Sequence, residues 1–92
     1  DAASAVTWDC VVKHESSYNP NAYNGNSTSG KGAHGLFQMN PEGKGNGKYD
    51  AGSVNWPLQI TNAISYRHKV IKDTWDYWEA ASRYCGKKKG EK

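Results

Sequence analysis

The chain has 92 residues, 36% of them hydrophobic, enough for one small core and one domain. A chain this short buries only roughly 60 to 65% of its unfolded surface, so a covalent staple has much to add. The formal net charge is +3, and Gly86 to Lys92, with four lysines and one glutamate, account for all of it. A near-neutral body excludes the basic face that a nucleic-acid binder needs. Residues 87–92 therefore read as a basic, solvated, flexible tail on a domain spanning 1–86, with weak attraction for an anionic surface as the functional option.

From the first residues, Ser4 to Ser16 read as a helix, because Trp8, Val11, Val12 and Glu15 fall at i, i+3, i+4 and i+7. A carboxylate thus completes an apolar stripe. From Tyr18 to Ser53 the composition changes: eight of the ten glycines lie between Gly25 and Gly52, which marks a long loop. The loop is broken once, by Leu36-Phe37-Gln38-Met39 between Gly35 and Pro41, too brief for a helix and suited to an extended or single-turn element.

After Pro57, a residue that suits a first helical turn, Ile60, Ala63, Ile64, Arg67 and Ile71 recur at helical spacing, with Tyr66 and Val70 widening the stripe. A third helix is expected from about Thr74 to Tyr84, capped by Asp73 or Thr74 and stopped by Gly86. The fold class implied is mainly α: a small helical domain with a Gly/Asn-rich loop region and at most a short β element.

Cys10 and Cys85 stand near opposite ends of the chain. A bridge between them would close most of the molecule and stabilise it by roughly 4 kcal/mol in the chain-entropy model. Such a pair in so small a domain points to an oxidising compartment and secretion; two buried free thiols are the alternative. No apolar run approaches the roughly 18 residues of a membrane span, and the opening residues are too few and too polar for a signal peptide.

The chemistry centres on Glu15. On the core side of its helix a carboxylate is poorly solvated, which raises its pKa and keeps the proton available to a leaving oxygen. The competing reading turns Glu15 to solvent or pairs it with Lys13 or Arg67. A zinc protease motif H-E-x-x-H would need a histidine where Tyr18 stands, and His14, His34 and His68 show no ligand spacing. Neither a metal nor a cofactor is expected.

The order of motifs decides the odds. Trp8-Asp9-Cys10-Val11-Val12-Lys13-His14-Glu15-Ser16, then Gly35-Leu36-Phe37-Gln38-Met39-Asn40-Pro41, then Asn55-Trp56-Pro57-Leu58-Gln59-Ile60 with Ala63-Ile64-Ser65-Tyr66, resemble in sequence the lysozyme-like lytic transglycosylases, including the resuscitation-promoting-factor type. The resemblance runs from Trp8 to about Trp78. It implies cleavage of the bond between N-acetylmuramic acid and N-acetylglucosamine in peptidoglycan, with Glu15 as acid and then base.

By the same resemblance Gln38 and the backbone at Gly35 and Leu36 hold the sugar, Ser16 braces the carboxylate, and Tyr66 matches an active-site tyrosine. His34 and Tyr49 are further candidates for substrate contact, and Tyr18 and Tyr23 for sugar stacking. A second carboxylate is not required by that mechanism; Asp50, then Glu42, are the outside candidates, and Asp73 is better explained as a helix cap. Hydrolysis by a muramidase and non-catalytic peptidoglycan binding remain open alternatives. The implied partner is the glycan strand, met by a secreted, monomeric domain of bacterial or phage origin.

Overall fold

The computed structural model describes residues 1–25, 32–39 and 55–92. Helix α1 spans Ala2–Ser16. It starts two residues before the expected Ser4, because the Asp1 carboxylate accepts the Ser4 N–H at 2.8 Å and caps the first turn. Thr7 and Val11 are buried on its inner face. The helix stops at Ser17 and Tyr18, both in the left-handed region with φ of 53° and 63°, and the Tyr18 hydroxyl donates to Asp9 Oδ1 at 3.1 Å, folding the chain back along α1.

Two short strands follow, β1 (Tyr23–Asn24) and β2 (Ala33–His34), paired antiparallel with Tyr23 opposite His34 and Asn24 opposite Ala33. The apolar break in the loop is the tight turn 35–38. His34 and Met39 exchange backbone hydrogen bonds of 3.0 Å across it. Leu36, Phe37 and Met39 are thereby carried into the core.

Helix α2 spans Trp56–Lys69, with Asn55 accepting the Leu58 N–H and Pro57 in the first turn. Its buried face is Gln59, Ala63 and Tyr66. Helix α3 is only Glu79–Tyr84, five residues shorter at its start than the stretch expected from Thr74. Two features mark the stretch before it. Lys72 and Asp73 are left-handed (φ 55° and 67°), and Trp75 and Trp78, each 2% exposed, both turn into the core. Trp78 also donates its Nε1–H to the Phe37 carbonyl at 2.9 Å. At i and i+3 the two indoles could share a helical face, so their burial does not forbid the expected helix; the extended backbone of Trp78 (φ −102°, ψ 110°) is where the chain departs from it, and the helix starts at Glu79.

The core joins Val11 of α1, Leu36, Phe37 and Met39 of the turn, Ala63 and Tyr66 of α2, Trp75, Trp78, and Ala81 of α3. Trp8 meets Phe37, Trp75 and Trp78 edge to face, with centroids 5.3, 4.7 and 5.1 Å apart, geometries that favour aromatic quadrupoles. The Arg67 guanidinium lies 3.8 Å above the Trp75 ring. The disulfide Cys10–Cys85, with Cα atoms 5.9 Å apart, fastens α1 to the end of α3. Beyond it Lys88, Lys89 and Lys92 are exposed, while the Lys87 N–H donates to Ala81 O and the Gly90 N–H to Asp76 Oδ1.

Candidate active site

Glu15 lies one residue from the end of α1 and is half-buried. Its carboxyl receives a hydrogen bond from the backbone N–H of Ala80, the second residue of α3. The α3 cap residue, Trp78, supplies no side-chain cap of its own, so the carboxyl from α1 takes an amide left over at that helix start. Three influences then compete. Burial pushes the Glu15 pKa up, the Ala80 amide pulls it down, and the nearby Glu79 carboxylate pushes it up again; burial is the largest and the net shift is upward. The carboxyl expected from periodicity to face the core side does so.

The Gly35–Met39 turn is organised by hydrogen bonds internal to the protein. Gly35 has φ of 79°, where a side chain would be strained, and its N–H donates to Ala22 O at 2.8 Å. The Gln38 side-chain Nε2 donates to the carbonyls of Gly35 (3.0 Å) and Ala22 (3.3 Å). The Leu36 N–H donates to Gln59 Oε1 at 2.8 Å, and Gln59 Nε2 donates to the Pro20 carbonyl at 2.9 Å. Backbone groups expected to hold a sugar at Gly35 and Leu36 are therefore engaged in fixing the turn. Among the described residues Gln38 keeps its Oε1 for a further partner.

Other expected contacts are placed differently. Ser16 Oγ donates to the Val12 carbonyl at 3.2 Å, one helical turn back, instead of bracing the Glu15 carboxyl; a serine inside a helix reaches that carbonyl more readily than a neighbouring side chain. Tyr66 is fully buried among Tyr77 and Trp78, with centroids 5.0 and 6.3 Å away. Burial, helped by Tyr77, pushes its hydroxyl up to about 12, so it is a neutral core phenol. His34 is half-buried against the Tyr23 ring at 4.8 Å. Tyr18 and Tyr23 are exposed. Tyr49, Glu42 and Asp50 lie outside the described residues.

Asp73 is held below the usual carboxylate range, chiefly by its hydrogen bond with His68, far in character from a proton donor. Among the described residues no cluster of His, Cys, Asp or Glu could hold a metal ion, and no helix is long and apolar enough to cross a membrane. An apolar groove runs along α1 between Trp8, Val12, Leu36, Phe37, Ile60 and Ile64.

Two participants escaped the sequence. Gln59 was within reach of the reasoning that found Glu15: it is polar and in helical register with Ala63 and Tyr66, at i, i+4 and i+7 of a buried stripe. The Ala80 amide had no signal at all, since every non-proline residue carries the same group.

Residues 5–86, which include the half-buried Glu15 and the Gly-Leu-Phe-Gln turn, match the family model for the transglycosylase SLT domain. The chain belongs to that family. Among curated proteins this SLT domain is similar to the milk isozymes of lysozyme C from Equus caballus and Canis lupus familiaris, each 28% identical over 92 residues, covering 89% of this chain and 71% of theirs. Lysozyme C from Equus asinus is similar to the same extent. No solved structure gives a significant match. The SLT domain is thus a lysozyme-like domain of the peptidoglycan-cleaving class, mainly helical with a minor β element.

Proposed function

We propose that this SLT domain cleaves the β-glycosidic bond between N-acetylmuramic acid and N-acetylglucosamine as a secreted lytic transglycosylase, with Glu15 as general acid and then general base. The observation that carries the reading is the Glu15 carboxyl itself, half-buried, raised in pKa and held by one backbone amide. In its protonated form, which burial favours, it gives its proton to the departing glycosidic oxygen as the C1–O bond breaks. The resulting carboxylate, stabilised by the Ala80 N–H, takes the proton of the muramic C6 hydroxyl as that oxygen bonds to C1. The product is an anhydromuramic end and the acid is restored.

This route asks for no second carboxylate. Of the acids near Glu15, Glu79 is tied to Arg83 at 2.7 Å, a poor starting state for a nucleophile. The reading places the sugar against the Gln38 amide oxygen, with the turn 35–38 held stiff by Gln59. The disulfide agrees with an oxidising, extracellular setting.

The lysozyme C relatives favour a second reading, in which water takes the place of the C6 hydroxyl and the domain is a muramidase. Mass spectrometry of digested sacculi separates the two: an anhydro end supports the transglycosylase, a reducing end the muramidase. Replacing Glu15→Gln should lower clearing of sacculi by about 10²- to 10⁴-fold, the usual worth of a general acid, while glycan pull-down persists. Clearing at the native rate would reject catalysis by Glu15 and leave a binding module.

A further inference from the structure

Two exposed tyrosines lie between α1 and the Gly35–Met39 turn, and their surroundings differ. Tyr18 lines the apolar groove along α1 and commits its hydroxyl to Asp9 Oδ1 at 3.1 Å. It anchors the chain where the helix ends. Tyr23 is the more exposed of the two, at 62% against 51%, and stands in β1 opposite His34. An aromatic ring left in water forgoes most of the free energy that burial would bring. On an open hairpin such a ring would ordinarily move among its rotamers.

The Tyr23 ring is instead held in one place. A Cβ added to Gly32 would lie 2.4 Å from Tyr23 Cε1, and one added to Gly25 would lie 3.2 Å from Cε2. The ring thus lies across the hairpin with one edge over each glycine, in space that a larger residue at position 32 would take. Gly32, with φ of 83°, also uses the left-handed region that favours glycine. The His34 ring closes a third side, its centroid 4.8 Å away and its plane tilted by 47°. The same hairpin is fixed to the turn, because the Ala22 carbonyl, one residue before Tyr23, accepts the Gly35 N–H at 2.8 Å and Gln38 Nε2 at 3.3 Å.

We propose that Tyr23 is a stacking platform for the glycan strand, a binding contact on the hairpin additional to Gln38, whose occupant is a pyranose ring presenting its C–H face. The inference rests on the reading of the substrate as peptidoglycan glycan. The face of a phenol ring carries the negative part of its quadrupole, which attracts the weakly positive C–H groups of a sugar. A ring already held by Gly25, Gly32 and His34 loses little rotamer freedom when the sugar arrives, so more of the contact appears as affinity. An aromatic ring laid over a glycine also steadies a hairpin, and the experiment must separate that role from contact with sugar.

Affinity for soluble, peptide-free peptidoglycan glycan strands is measured in Glu15→Gln protein, which should bind without cutting, with Tyr23→Leu and Tyr23→Phe added in turn. Tyr23→Leu should weaken binding by about 3- to 10-fold, the worth of an aromatic contact, while Tyr23→Phe keeps the parent affinity because it keeps the ring. With Glu15 restored, Tyr23→Leu should raise KM more than it lowers kcat. Unchanged affinity in Tyr23→Leu overturns the platform, as does an equal loss in Tyr23→Phe. Should Tyr23→Leu fold poorly, proton NMR of Glu15→Gln protein decides: Tyr23 ring signals, assigned by their loss in Tyr23→Phe, shift on adding strands while sugar C–H signals move upfield, and ring signals that stay still overturn the proposal. Strands that fail to bind Glu15→Gln protein at all reject the glycan reading and the platform together. If Glu15→Gln still clears sacculis, only the general-acid reading falls, and the KM comparison with Glu15 in place decides for Tyr23.

Discussion

Glu15 occupies a position that costs the fold something. Its carboxyl holds a proton more tightly in the folded chain than in the unfolded one, since burial outweighs the Ala80 hydrogen bond. The linkage sign follows: the folded state binds more protons between the unfolded and folded pKa, so stability falls as pH rises through that window. Below the unfolded value the penalty is absent, and above the folded value it is complete. Glu15→Gln, which keeps an acceptor for the Ala80 amide and removes the charge, should therefore melt higher than the native protein at pH 7 and about equally at pH 4. Equal melting temperatures at pH 7 would mean that the charged carboxyl is better solvated than its position implies. A gain in stability joined to a loss of clearing is the expected pattern for a strained functional group.

Single elements in this molecule are short, and their relative placement depends on a few side chains. Gln59 is the clearest: from α2 it clamps the Leu36 amide of the turn and the Pro20 carbonyl of the segment after α1, with only 2% of its surface exposed. Gln59→Leu preserves the helix and the approximate volume but strands two polar groups, which predicts a loss of about 2 to 4 kcal/mol in urea denaturation. In enzyme that still folds, a loosened turn should raise KM more than it lowers kcat. A loss below about 0.5 kcal/mol would show that solvent reaches both groups. The α3 region teaches the same lesson from the other side. Periodicity extended that helix back to Thr74, yet Trp75 and Trp78 both insert into the core and only Glu79–Tyr84 is helical. Local spacing, which suits a shared helical face for these two indoles, cannot report that the backbone turns extended at Trp78.

At the scale of the whole molecule, the disulfide ties the middle of α1 to the end of α3 across a separation of 75 residues. Its chain-entropy worth, about 4 kcal/mol, is a large share of the 5 to 15 kcal/mol that a folded domain ordinarily commands. It also holds together the two elements that share the Glu15–Ala80 contact. Replacing Cys10→Ser and Cys85→Ser together should lower the melting temperature by more than 10 °C, about 4 to 8 °C per kcal/mol for a domain of this size, and should reduce clearing at temperatures where the variant remains folded. An unchanged melting temperature would remove the staple from the account.

What the chain determined unaided is the list of chemical parts and their order. A charged residue in an apolar stripe, a glycine-bounded apolar tetrad and two distant cysteines are legible because each departs from the local pattern around it. From them came the half-buried glutamate, the turn, the bridge and the family. The tertiary structure decided which groups those parts meet: the Ala80 amide and the Glu79 carboxylate against Glu15, the Gln59 clamp on the turn, Ser16 bound to its own helix, Tyr66 sealed in the core. These contacts join residues far apart in sequence or use backbone groups that all residues share, and spacing along a chain carries no record of either.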